Sequence, residues 1–352
     1  MYIAISILIF GLIIAIHELG HFIAAKIFKV GVPEFAIGMG PKLLKKQGKE
    51  TLYSLRAIPI GGFCALDGDD NEVQGERSLF AKPLWQRLII FASGSVMNIA
   101  AGFLVLLILV GSMSALPPTT TIDGFIEGST LQSEQGFEIG DRIHRIDGWR
   151  VYQNMNIGML VDLAPGDTVD VEVIRDGQRV ILRDLTLERQ MFEGGDRPLF
   201  GFVFATIENP TVFDRVGVAW NDLRDIMRQL PLTFRMFSSG QAGMEDVSSV
   251  IGIVDIMNEA GATAPTAGIA VRRLALIAAI ISVSVAMINL LPIPGLDGGR
   301  IFLMLVSWVL TRVFKREISR KYETYINMIG LLLLFGFMIY IMFNDIVQIV
   351  TR

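Results

Sequence analysis

His17-Glu18-Leu19-Gly20-His21 sets two imidazoles four residues apart with a carboxylate between them. On a helix, positions i and i+4 share a face, so His17 and His21 can grip one metal ion while Glu18 takes a proton from water that the ion acidifies. A catalytic zinc needs a third protein ligand and an open fourth position. The chain's only other histidine is His144 and its only cysteine is Cys64. The first falls in a β-patterned segment and the second in a basic loop, so the third ligand should be a carboxylate. Asp297 is the best candidate, the lone charge in Asn289-Leu-Leu-Pro292-Ile-Pro294-Gly-Leu-Asp297-Gly298-Gly299.

The elements that must position these residues are membrane spans. Of 352 residues, 52% are hydrophobic and 19% charged, against roughly 25% charged in an average soluble domain. That composition excludes an ordinary soluble enzyme, a disordered chain and a nucleic-acid binder. Four stretches meet the requirement of about 20 mostly apolar residues for a span: Tyr2 to Ala25, a run inside Leu88 to Ile122, Leu274 to Leu296, and Thr324 to Asn344. The first lacks a basic leading segment and a small-residue cleavage site, which argues against a signal peptide. Charged and ionisable groups inside a spanning helix are costly and usually functional, which singles out His17, Glu18 and His21.

Charge sets the orientation. The loop Lys29 to Arg87 holds nine Lys/Arg, and Arg300 to Lys321 holds six against one Glu. Basic loops stay on the cytoplasmic side. Residues 114–271 hold 23 Asp/Glu, 12 Arg and no Lys, so this segment should lie outside. Within it, Thr168 to Arg175 alternates at period two, Asp176-Gly177 turns, and Gln178 to Leu182 returns, a hairpin signature. With Gly140 to Gly148, a second short strand closed by a turn, residues 119–188 read as a small β-rich domain. From Val212 to Gly268 the pattern is helical and amphipathic, suited to a membrane surface, to the bundle or to a packed linker.

The organisation expected is therefore a polytopic α-helical membrane protein with four transmembrane helices and an inserted small β-rich domain. A first span covers 1–28, and a cytoplasmic-side, membrane-associated β-hairpin loop covers 29–84. A second span covers 85–114, and the extracytoplasmic β-rich domain with its exit strand covers 115–208. An amphipathic helical linker occupies 209–271, a third span 272–299, a cytoplasmic loop or short helix 300–322, and a fourth span with the C-terminus 323–352. In that topology spans one and three run parallel. His17 lies roughly 22 Å along its helix from Tyr2, and Asp297 roughly 34 Å past Leu274 if the helix were unbroken. Both arrive in the cytoplasmic half, although Pro292 and Pro294 must break the second helix. Broken backbone is tolerated at that depth only beside protein or a watered cavity.

His17 to His21 on span one and Asn289 to Gly298 on span three resemble the paired signatures of the site-2 protease family of intramembrane zinc metalloproteases. Gly94-Ser-Val-Met-Asn98 is similar to that family's Gly-Pro-x-x-Asn element, with Ser95 in place of the proline. The order of the β pieces resembles a PDZ domain, and four spans with one such insert resemble the RseP/RasP-type branch with a single PDZ domain. The resemblance implies one catalytic Zn2+ held by His17, His21 and Asp297, with Glu18 as general base. It also implies substrate-binding or transition-state support from Asn289, Asn98, Pro292, Pro294 and the Gly38-Met39-Gly40 segment. Val32 to Gly40 and Thr51 to Gly62 read as strands joined by the basic turn Lys42 to Lys49. In the family they correspond to a hairpin dipping into the membrane beside the metal. Such a hairpin could pair with a substrate helix once it unwinds. The implied partners are single-span membrane proteins such as anti-sigma factors, remnant signal peptides, the lipid bilayer and a peptide terminus in the PDZ groove, with no nucleic acid. The implied location is a bacterial cytoplasmic (inner) membrane with the PDZ-like domain extracytoplasmic.

Two other classes explain less. A metal transporter also uses broken helices and buried carboxylates, but commonly shows repeated halves, and the chain has no second H-E-x-x-H or second broken segment. A membrane-anchored PDZ scaffold with a dead site would need neither Glu18 nor Asp297.

Overall fold

A computed structural model describes residues 2–68, 75–134, 136–193, 198–243, 247, 249–315 and 320–351. The chain forms two compact units, one of residues 1–105 with 242–352 and one of residues 106–241.

Backbone groups in lipid must be satisfied within their own segment, so apolar runs of this length become helices. Among the described residues, four helices are long and apolar enough to cross a membrane: α1 (Tyr2–Ile27), α2 (Leu84–Gly111), α7 (Ala267–Asn289) and the window Thr324–Val347 within α9 (Arg320–Thr351). The protein is thus a multi-pass membrane protein. In the first unit, small residues let the helices approach closely. Gly20 of α1 lies against the Ser93 carbonyl of α2, where a Cβ would come within 2.3 Å. Ser282 of α7 donates its hydroxyl to the Asn98 carbonyl at 2.9 Å. Helix α6 (Val250–Ala262) packs Met257 against Phe10, Ile13, Leu274 and Ile281. Asp345 of α9 accepts hydrogen bonds at the start of α6 from Ser249 N, Ser249 Oγ and Gly252 N, at 2.7, 2.5 and 3.1 Å.

Two expectations are corrected here. The loop or short helix expected over 300–322 begins instead as an 18-residue helix, α8 (Asp297–Phe314). Only Arg300 and Arg312 follow Asp297 as charges in that run, and nothing in it breaks a helix. Likewise Lys42 to Lys49 is mostly strand rather than turn, because β1 (Glu34–Gln47) and β2 (Leu52–Cys64) both run longer than expected. The turn is confined to Gly48–Thr51, closed by Gly48 N–H to the Thr51 carbonyl at 2.9 Å.

Strand β1 is bent back on itself. Gly38 and Gly40 have φ of +84° and +82°, which L side chains rarely adopt. Residues Glu34–Ile37 pair parallel with Leu52–Leu55, while Leu44–Gln47 pair with the same Leu52–Leu55 from the other side, antiparallel. Phe35–Ile37 pair antiparallel with Gly62–Cys64. The segments therefore lie in the order 44–47, 52–55, 34–37, 62–64, and Gly62–Cys64 is an outer strand. The sheet packs on α1 through Phe22, whose ring meets Phe35 at 5.3 Å and Tyr53 at 6.0 Å.

The second unit is built on a four-stranded antiparallel sheet of order β5-β4-β6-β7: β4 (Arg142–Ile146), β5 (Trp149–Arg150), β6 (Val169–Arg175) and β7 (Gln178–Leu185). Asp176 and Gly177 make the turn with φ of 49° and 78°, the left-handed pair that a two-residue hairpin requires. A second pair joins β3 (Ile122–Phe125) to β8 (Phe202–Phe204). Short helices α3 (Leu131–Glu134) and α4 (Asn156–Asp162) complete the layer. The core contains Phe137, Ile143, Ile146, Ile157, Leu160, Val171 and Val173.

Helix α5 (Val212–Ser239), read from sequence as linker, belongs to this unit. Leu232 enters its core, Asn156 donates to Asp225 at 2.8 Å, and Arg228 bonds both Asp225 and the Arg150 carbonyl. Burial, aided by the neighbouring Asp225 charge, pushes the Asp222 carboxyl up to about 6. The folded unit then favours the protonated acid, so this contribution is full below the unfolded pKa of about 3.9 and is lost as pH rises to about 6. Asp222→Asn is accordingly expected to stabilise the unit at pH 7 by about 1–2 kcal/mol, after screening is allowed for, and to change little at pH 4. Hydrogen exchange of the β6 and β7 amides in the full chain measures it, and slower exchange in the wild type than in the variant at pH 7 would refute it.

Candidate active site

Each site group is delivered by a different constraint. His17 and His21 face the same side of α1, their rings edge-on with centroids 4.8 Å apart. The Ile90 carbonyl of α2 lies 2.8 Å from His21 Nδ1. That bond takes the Nδ1 proton and leaves the Nε2 lone pair facing inward. The two Nε2 atoms are 3.2 Å apart.

Asp297 arrives from the break in the third span. Helix α7 stops at Asn289, residues 290–296 fold tightly, and α8 restarts at Asp297. The fold is tight enough that a Cβ on Gly298 would lie 2.3 Å from the Leu290 and Leu291 carbonyl oxygens. Pro292 and Pro294 prevent α7 from continuing, and Pro294 packs against Gly330 of α9. Asp297 sits in the first turn of α8, where the helix dipole favours a negative charge. Its Oδ2 is 3.0 Å from His17 Nε2 and 3.2 Å from His21 Nε2.

Three ligand atoms with separations of 3.0, 3.2 and 3.2 Å match three corners of a tetrahedron whose centre lies about 2 Å from each, the distance at which zinc holds nitrogen and carboxylate oxygen. Among the described residues these three are the group that could hold a metal. Two imidazoles and a carboxylate with a remaining open side fit a catalytic zinc. Gly94 of α2 backs the pair. A Cβ there would lie 2.5 Å from His21 Nε2 and 2.7 Å from His17 Cε1.

A cavity of about 220 Å³ opens beside the ligands, lined by Ile14, His17, Glu18, Asn289, Leu296 and Asp297 among others. The Asn289 Nδ2 is 3.4 Å from His17 Nε2. Glu18 accepts a hydrogen bond from the backbone of Cys64, and a Cβ on Gly62 would lie 3.4 Å from Glu18 Cγ. The sheet thus reaches the site through its outer strand. Gly38, Met39 and Gly40 form the bend of β1 instead, with Gly38 folded against the Ile58 carbonyl. Asn98 is also set apart. Its side chain is fully buried, with neither amide atom hydrogen-bonded among the described residues.

The remaining candidates stay out. Cys64 brings its backbone near Glu18, but burial, with the Glu18 charge adding, pushes the thiol up to about 12, so it is no thiolate ligand. His144 is buried in the second unit, 3.6 Å from Glu172. Sequence reasoning missed the Ile90 carbonyl, the Gly94 contact and the approach of Gly62. Only the Gly61-Gly62 doublet inside a strand, which marks close backbone approach, could have pointed to the last.

Comparison with known proteins agrees with this geometry. The model of peptidase family M50 matches residues 5–337. A Clostridium perfringens protein bearing the name zinc metalloprotease is 35% identical over 348 residues, covering 99% of each chain. The regulator of sigma-W protease RasP of Bacillus subtilis is 24% identical, covering 97% of each, and metalloprotease MmpA of Caulobacter vibrioides is 27% identical, covering 96% of this chain and 93% of its own. Matched from its first span to its last, the chain belongs to peptidase family M50, the site-2 protease family, and is a zinc-dependent metalloprotease.

Proposed function

We propose that the protein hydrolyses peptide bonds within or near the transmembrane segments of single-span membrane proteins. The observation that carries this reading is the convergence of His17 and His21, on a helix apolar enough to span a membrane, with Asp297, just past the break that ends a second such helix, within 3.2 Å of one another. Charge asymmetry supports the cytoplasmic membrane of a bacterium with residues 115–208 outside as a PDZ-like domain. That domain acts as a size filter or docks a peptide terminus. The name of the Bacillus subtilis relative, a regulator of sigma-W, supports anti-sigma factors as one substrate class, beside remnant signal peptides.

When bound, zinc supplies Lewis-acid polarisation of a scissile carbonyl and acidification of water. His17, His21 and Asp297 hold it, with His21 kept in the ligating tautomer by Ile90. Glu18, fixed by the Cys64 backbone, accepts the water proton on its carboxylate and passes it to the leaving amine. Asn289 donates its amide to the carbonyl oxygen as charge develops there. A transmembrane helix hides its carbonyls in its own hydrogen bonds and must unwind. The outer strand Gly62–Cys64 pairs with the freed backbone beside Glu18. Gly38, Met39 and Gly40 shape the sheet that presents this strand. Pro292 and Pro294 keep the α7 break open for the substrate, and Asn98 serves packing between α2 and α7.

The test is a cut-site map. Full-length zinc-loaded protein, reconstituted with a single-span model substrate, is expected to cut inside or within a few residues of the span, and mass spectrometry of the fragments reads the position. Cuts confined to the substrate's soluble loops would overturn the proposal.

A further inference from the structure

The turn of the cytoplasmic-side sheet carries charge that the active site does not use. Lys45, Lys46 and Lys49 cluster at the tip formed by the end of β1 and the Gly48–Thr51 turn. Lys42 is paired with Glu34 at 2.9 Å, whereas Lys45, Lys46 and Lys49 have no anionic partner among the described residues. Next to them Leu43 and Leu44 are 64% and 67% exposed. A basic hairpin with bare leucines is poorly suited to water alone, and suited to a surface whose outer layer is anionic and whose inner layer is apolar.

The depth of the tip follows from α1. Lys26, in the last turn of that span, donates to Glu50 Oε1 at 2.7 Å and to Thr51 Oγ1 at 3.0 Å, and Arg77 also bonds Glu50. One helical turn earlier Phe22 meets Tyr53 and Phe35, and another turn earlier Glu18 meets Cys64. The sheet therefore runs alongside α1, with its turn level with the end of the span, where headgroup phosphates lie. The two ends of one sheet are the catalytic edge and this basic tip.

We infer that the tip is a docking surface for anionic lipid headgroups, with Lys45, Lys46 and Lys49 as the phosphate-facing charges and Leu43 and Leu44 entering the acyl boundary. In neutral lipid the α1 contacts still hold the turn at this level, but the lysines and leucines of the tip stay on the aqueous side of the headgroups. Docking of the tip does not depend on peptide hydrolysis, so the inference stands whether or not the substrate class proposed above is right.

The experiment uses the full-length protein in vesicles of phosphatidylcholine alone or with phosphatidylglycerol added to about one third. An environment-sensitive dye is placed at the tip through Gln47→Cys in a Cys64→Ser background. Expected is a blue-shifted dye, quenched by headgroup-labelled lipid, in the anionic vesicles only. Molar salt should reverse it, and inorganic phosphate should do no more than chloride of equal ionic strength. Replacing the three lysines by Gln should weaken docking roughly a hundredfold, whereas the triple Arg variant should dock like wild type. Far-ultraviolet helicity and zinc content report folding of each variant. Equal dye signals in neutral and anionic vesicles, or an undiminished signal in a folded triple Gln variant, would overturn the inference.

Discussion

Glu18→Gln leaves zinc in place and lowers cleavage of a membrane-spanning substrate by about 10³- to 10⁴-fold, the scale of a lost general base. The substitution keeps the shape of the side chain and can still accept from the Cys64 backbone. It removes only the ability to take a proton. Asp297→Ala acts differently. It deletes one of three ligand atoms lying 3.0 and 3.2 Å from the other two, so zinc content and cleavage fall together. The informative comparison is metal stoichiometry against rate on the same purified samples. Wild-type cleavage by Glu18→Gln, or full zinc retention by Asp297→Ala, contradicts the assigned roles.

Gly94→Ala, a change of one methyl group, is expected to lower cleavage by at least about 100-fold. The added Cβ would lie 2.5 Å from His21 Nε2 and 2.7 Å from His17 Cε1, well inside van der Waals contact. The histidines must move or α2 must retreat. Retreat is opposed because Gly20 of α1 already lies against the Ser93 carbonyl. A ligand shift on the order of 1 Å costs roughly 100-fold. Zinc affinity, measured by competition with a chelator, should drop while the helical content stays. Ser95→Ala, one residue along the same helix, provides the control, since its hydroxyl has no hydrogen-bond partner among the described residues. Equal rates for Gly94→Ala and wild type would show that the pair is not held by this contact.

Much of the chemistry was legible because it is local. The i, i+4 spacing of His17 and His21 needs only a helix, and the apolar run around them makes that helix unavoidable. The Asp176-Gly177 turn needs only two residues that tolerate positive φ. Asp297 was legible as the sole charge beyond a proline break, although its approach to the histidines depends on how two spans pack. The bend of β1 was not legible. The sequence of Lys42 to Lys49 is basic and polar enough for a turn, and only pairing of Leu44–Gln47 with Leu52–Leu55 makes it strand. Helix α5 carries an amphipathic pattern that fits a membrane surface, the bundle or a packed linker, and its hydrogen bonds to Arg150 and Asn156, with Leu232 in the core of the second unit, decide among them.

By itself the sequence determined which elements cross the membrane, which ionisable groups they carry and which chemistry those groups can perform, because hydrophobicity, side-chain pKa and helical periodicity are properties of residues and their near neighbours. The tertiary structure alone decided which backbone touches the site: the Ile90 carbonyl on His21, Gly94 behind both rings, and Cys64 with Gly62 beside Glu18. Those contacts join segments tens of residues apart, and their existence rests on the absence of side-chain atoms at glycines and on strand pairing, neither of which has a local energetic signature.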